Sequence, residues 1–179
     1  MRDGHGRRVV AGLDIGGTKT LAVALDASGT VMASERAATP TDGADGIVAT
    51  AVDTLTALAG HLEIDASAFD VVGVGIPGRV RPADGSVSHA VNLGLGGGVV
   101  AVGPQIEVAL GVPTFVENDV NAAALGAAAL LSPGAAADLA YISVGTGVAT
   151  GLVLDGRLRR GHHGVAGEIG HLCVDPSGP

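Results

Sequence analysis

Near the start of the chain, apolar residues come in short runs: residues 8 to 14 (RVVAGLD) and 20 to 25 (TLAVAL) stand on either side of Gly-Gly-Thr. Runs of this length around glycine predict two strands joined by a tight turn, and a third strand is expected at 30 to 35. From 45 to 62 the period changes. Ile47, Ala51, Leu55, Leu58 and Leu62 recur at spacings of three and four, which predicts an amphipathic helix with Gly60 near its end. VVGVGI at 71 to 76 is apolar throughout and reads as a buried strand.

Residues 79 to 103 lose periodicity and are rich in glycine, so they read as loop with short extended pieces, long enough to suggest function. A short helix near 104 to 110 leads through Gly111 and Pro113 into a strand at 114 to 117. An alanine-rich helix begins around Asp119, and AYISVG and GLVLDG read as two more strands. Three strands followed by alternating helix and strand predict an α/β fold with a mixed sheet.

Composition narrows the function classes. The 179 residues are 47% hydrophobic and 16% charged, a globular balance with enough apolar content for a core. Phe, Tyr and Trp make up only 2%, so packing rests on Ala, Val, Leu and Ile, and stacking platforms for nucleic acid are lacking. A net charge of -8, with Arg157, Arg159 and Arg160 as the only basic group, argues against a nucleic-acid partner. Arg7 and Arg8 precede an apolar run that Asp14 interrupts too early for an export signal, and no run of about 18 apolar residues exists to cross a membrane. Cys173 is the one cysteine, so no internal disulfide framework is possible and a cytoplasmic protein is expected.

Several segments carry candidate chemistry. In DIGGTKT, Asp14 to Thr20, a carboxylate at a strand end precedes glycines and a hydroxyl, and such a turn can set backbone N–H groups against phosphate oxygens. Lys19, the chain's only lysine, lies one place too late for a Walker loop and leads into a strand instead of a helix. GVGIPG, Gly73 to Gly78, matches the dinucleotide glycine pattern, but Pro77 and a loop follow where that motif needs a helix. These glycines read as a loop approaching a small ligand, or as a plain turn. GTGVATG, Gly145 to Gly151, is a second glycine turn between strands, and the pair suggests two phosphate-binding hairpins facing one cleft.

Glu117, Asn118, Asp119 and Asn121 form a polar cluster at a strand-to-helix junction, denser than a helix cap requires. A carboxylate beside a helix N-terminus stays ionised, and phosphoryl transfer needs orientation of a hydroxyl more than a strong base, which suits Asp119. His162, His163, Glu168, His171 and Cys173 fall within twelve residues, at a spacing that resembles no standard zinc pattern. Glu168 and His171, three apart, can face one polyhydroxyl ligand if their segment is helical.

In this order the segments resemble the ROK (repressor, ORF, kinase) sugar kinases, from about residue 8 to the end of the chain, and within that family bacterial glucokinases most. The resemblance implies an actin-like ATPase (ribonuclease H-like) fold, with a complete first lobe over 1–134 and a second lobe begun at 135–179. It implies that DIGGTK and GTG are the phosphate motifs, END the catalytic segment and GEIGH the sugar motif. By position, Asp119 would be the general base, and Asn118, Asp119, Glu168 and His171 would bind the sugar. Asp14 would help place magnesium. Gly16, Gly17, Thr18, Lys19, Gly145, Thr146 and Gly147 would line the phosphates of ATP.

Two departures from the family pattern stand out. His171 matches a zinc-ligating histidine of the family, but the three cysteines expected after it are missing and Cys173 is not one of them. Ala149 and Thr150 stand where many relatives have glycines. The leading expectation is phosphorylation of a hexose by ATP, with glucose as the first candidate and this chain an incomplete form. The rivals are a sugar-responsive ROK regulator without its DNA-binding domain and an inactive sugar-binding remnant. The hexose, the choice of ATP or polyphosphate, and the oligomeric state, a homodimer among the options, stay open at this level.

Overall fold

The computed structural model describes residues 8–41, 43–95, 98–134, 136–145 and 147–177. The chain divides into two compact units, Met1–Asp119 and Val120–Pro179.

The first unit is built on a five-stranded sheet in the order β3-β2-β1-β4-β7. Strands β1 (Val9–Ile15), β2 (Lys19–Asp26) and β3 (Val31–Ala38) form an antiparallel meander. Strands β4 (Val71–Ile76) and β7 (Thr114–Asn118) extend the other side of β1 in parallel. The mixed sheet expected from the element order is therefore present. Parallel neighbours need crossover connections, and helices supply them: α1 (Ala44–His61) between β3 and β4, and α2 (Val102–Leu110) before β7.

The core follows the hydrophobic pattern. Helix α1 buries Ile47, Val48, Ala51, Leu55, Leu58 and Ala59, and these join Ile15, Val72, Val74 and Ile76 of the sheet in one cluster. Each fully buried Leu or Ile contributes roughly 1.5–3 kcal/mol relative to exposure. Gly60 stands next to last in α1, near its end as expected, and a left-handed residue follows the helix at Glu63, φ 56°. Strand β3 sits on the sheet edge and carries Glu35, whose carboxylate lies 2.6 Å from His61 Nε2 of α1. Charge on an edge strand discourages pairing with another chain.

The stretch after β4 is loop with short extended pieces, as expected, and adds one 3₁₀ turn. Strands β5 (Arg79–Arg81) and β6 (Ser86–Ser88) form a small hairpin, and a single 3₁₀ turn covers Val91–Leu93. Val87, Ala90, Leu93 and Leu95 are buried in the main cluster, so the loop is pinned to the core.

In the second unit, α3, which runs Asp119–Leu131, leads into a sheet ordered β10-β9-β8, made of β8 (Leu139–Val144), β9 (Val148–Leu154) and β10 (Arg157–Leu158). Its core is small: Ala124, Ala128, Ala137 and Val153. Beyond β10 the chain follows β9, where Arg159 N–H donates to the Leu152 carbonyl and Thr150 N–H to the Gly167 carbonyl, both at 2.7 Å. Gly167 has φ 94°, and a Cβ there would overlap the Thr150 carbonyl oxygen, so only glycine lets this segment lie so close to β9. Ile142 and Val144 of β8 stay 60% and 78% exposed.

Candidate functional site

The parallel register assembles the first part of the site. Asp14 of β1 is level with Gly75 of β4, and Gly75 is level with Glu117 of β7, while Ile76 is level with Asn118. Residues in register across parallel strands point to the same face, so Asp14 and Glu117 share a face with a side-chain-free position between them. All lie at the carboxyl ends of β1, β4 and β7, the edge where open α/β sheets bind ligands. Asp119 follows as the first residue of α3, where the helix N-terminus favours negative charge.

The charge of Asp119 reaches Asp14. Asp14's pKa is raised, first by loss of hydration at the crowded strand end and then by the charge of Asp119, with Lys19 pulling the other way. The residue as a whole stays exposed. Two nearby acids with one basic neighbour form a donor set of hard oxygens, and that suits a hydrated divalent cation such as Mg²⁺.

The glycine turn lies beside this pair. Gly16 N–H donates to the Lys19 carbonyl at 2.9 Å, closing the turn of Gly16, Gly17 and Thr18 between β1 and β2. Lys19 opens a strand, as the rejection of a Walker loop required. A Cβ on Gly17 would sit 3.4 Å from the Asn92 carbonyl oxygen, so the 3₁₀ turn of the loop after β6 forms a wall next to this turn.

Asn118 is held by a partner that sequence reasoning missed. Its side-chain amide donates to the Gly78 carbonyl at 3.3 Å, and its N–H donates to Glu117 Oε1 at 3.0 Å. The glycines of GVGIPG thus serve the site through a carbonyl that the motif alone does not reveal. Nor does composition betray Asn92, whose place depends on how the loop folds back.

In the second unit, Gly145 N–H donates to the Gly147 carbonyl at 2.9 Å in the turn between β8 and β9, and Thr146 lies outside the described residues. Ile169–His171 forms a short 3₁₀ turn, so the GEIGH segment is helical only over one turn. Glu168 and His171 come together there, with 3.9 Å between His171 Nε2 and Glu168 Oε2. Cys173 is exposed, and the described residues contain no group of three or more His, Cys, Asp or Glu arranged to hold a metal ion. Thr150 Oγ1 is buried without a hydrogen-bond partner among the described residues.

The family model for the ROK family matches residues 10–179. The chain belongs to the ROK family. Within ROK proteins it is 35% identical over 167 residues to a glucokinase of Streptomyces coelicolor, covering 93% of this chain and 50% of that protein. It is 34% identical over 168 residues to an N-acetylmannosamine kinase of Escherichia coli, covering 93% and 55%. A xylose repressor of Caldicellulosiruptor bescii matches at 35% over 104 residues, 58% of this chain and 26% of the repressor. Among solved structures, a ROK glucokinase of Streptomyces griseus in complex with glucose and AMPPNP superposes with a TM-score of 0.81 at 34% identity, covering 95% of this chain and 52% of that one. The fold is accordingly the actin-like ATPase fold of ROK sugar kinases. The chain spans about half the length of the curated relatives it matches.

Proposed function

We propose that this ROK protein serves ATP-dependent phosphorylation of a hexose, glucose first. One observation carries the reading: Asp14, Glu117 and Asn118 share the ligand-binding edge of the parallel strands, with Asp119 close enough to raise the Asp14 pKa, beside a backbone turn suited to phosphate. The glucokinase relative with bound glucose and AMPPNP supports the substrate pair.

In this reading Asp119 accepts the proton of the attacking sugar hydroxyl as the oxygen bonds to the γ-phosphorus, and ADP leaves with the electron pair of the broken P–O bond. Asn118, held by the Gly78 carbonyl, orients the sugar, and Glu168 and His171 are the sugar residues that the family pattern implies for the second unit. In the turn after β1, where the Gly16 N–H is taken by the Lys19 carbonyl, residues 17 to 19 offer backbone N–H groups to phosphate oxygens, and Gly145, Thr146 and Gly147 are the second phosphate segment that the family pattern implies. Magnesium, placed through Asp14, would neutralise charge on the β- and γ-phosphates when bound. Positioning of this kind can be worth about 7–11 kcal/mol of a barrier.

The test is ADP release in a coupled assay with MgATP and glucose, N-acetylmannosamine or no sugar, for wild type and Asp119→Asn. Hexose-dependent ADP release that the variant loses while still binding sugar supports the reading. The xylose-repressor match favours a second reading, in which the protein binds sugar without turning it over. Sugar binding with no ADP release in any arm would select that one.

A further inference from the structure

The β2–β3 ladder pairs Lys19 with Ala38 and then continues one step into the turn: Thr39 N–H donates to the Thr18 carbonyl at 3.1 Å. Thr39 is itself anchored. Its hydroxyl lies 3.0 Å from that of Thr20, and the two residues are only 8% and 1% exposed. Pro40 follows, and a residue before proline is confined to extended backbone, the shape that a continued ladder needs.

The consequence reaches the phosphate turn through peptide geometry. A trans peptide plane carries its C=O and N–H in opposite directions. With the Thr18 carbonyl turned toward β3, the Lys19 N–H is turned away from β3, toward the β1 side. An N–H fixed in that direction before a ligand arrives can bond an anionic oxygen without reorganisation.

We propose that Thr39 is a positioning residue for the nucleotide: locked by Thr20, it sets the Thr18–Lys19 peptide so that the Lys19 N–H donates to a phosphate oxygen. This rests on reading Gly16 to Lys19 as a phosphate turn. Thr39 touches no substrate and acts only through that peptide.

Three variants separate the contributions. Thr39→Pro removes the N–H donor and keeps extended backbone, Thr39→Val keeps the donor but strands the Thr20 hydroxyl, and Thr39→Ser keeps both groups. KM for MgATP should rise about tenfold in Thr39→Pro, the size of one lost hydrogen bond to a charged group, and less in Thr39→Val. Thr39→Ser should restore it, and KM for the hexose should not move in any variant.

A second readout is independent of turnover. Titrating MgADP into labelled wild-type protein should shift the Lys19 amide resonance, and Thr39→Val should weaken that response. If Thr39→Pro fails to fold, this comparison decides. An unchanged KM for MgATP in Thr39→Pro, a parallel rise of both KM values with a fall in Tm, or no Lys19 response in wild type would each overturn the proposal. A Lys19 response to MgADP in a protein that phosphorylates no hexose would sink the proposed function and leave this inference standing.

Discussion

The side-chain amide of Asn118 reaches 3.3 Å to the carbonyl of Gly78, and this bond joins the end of β7 to the loop that follows β4. The two residues are 40 positions apart in the chain. The parallel register brings them to one edge by setting Asn118 level with Ile76, two residues before Gly78.

Gly78 has φ 105°, and a Cβ there would lie 2.9 Å from both the Ser88 carbonyl oxygen and the Ala90 Cβ. Gly78→Ala is therefore expected to lose roughly 1–3 kcal/mol of stability, through backbone strain and the displaced hairpin. Denaturant unfolding measures this. A wild-type midpoint would mean that the loop yields without cost.

Asp14→Asn should raise stability at neutral pH. A carboxyl whose folded pKa is raised costs the fold its charged form at pH values above that pKa, and the cost disappears below the ordinary value of 3.8, where both states are protonated. The advantage of the variant over wild type should accordingly shrink as pH falls toward 3.8. Tm measured across pH checks the trend, and an advantage that grows on acidification would contradict it. In an Asp119→Asn background the gain should be smaller, since part of the repulsion is already gone.

Thr150→Val should stabilise the second unit or leave it unchanged, within about 1 kcal/mol. The buried Thr150 hydroxyl has no partner among the described residues, and valine keeps the branched shape without the desolvation cost. Loss of more than that in thermal unfolding would reveal a partner for the hydroxyl.

Much of the first unit was legible in the residue pattern. The apolar runs around Gly16 and Gly17 are β1 and β2, the spacing from Ile47 to Leu58 is α1, and VVGVGI is β4, because alternation and helical period report which face of a local element is buried. The carboxylates Asp14 and Asp119 stood out for the same reason, as charges at the ends of apolar runs. The stretch from 79 to 103 was legible as loop with short extended pieces, but the path of that loop was not. Its hairpin and 3₁₀ turn are short, and they are held by Val87, Ala90, Leu93 and Leu95 packing into a core formed by distant strands. The end of α1 near Gly60 was legible too, whereas the left-handed residue after it, Glu63, is one that propensity alone does not select.

By itself, then, the sequence determined the family and most element types and pointed to candidate residues for chemistry, since motif order and periodicity are local properties of the chain. Only the tertiary structure decided that Gly78 offers its carbonyl to Asn118, that Asn92 walls the Gly17 turn and that Thr39 grips the Thr18 carbonyl. Each of these contacts joins segments that come together through strand register and core packing. A backbone carbonyl or N–H is the same chemical group at every residue, so its role appears only when the fold gives it a direction and a partner.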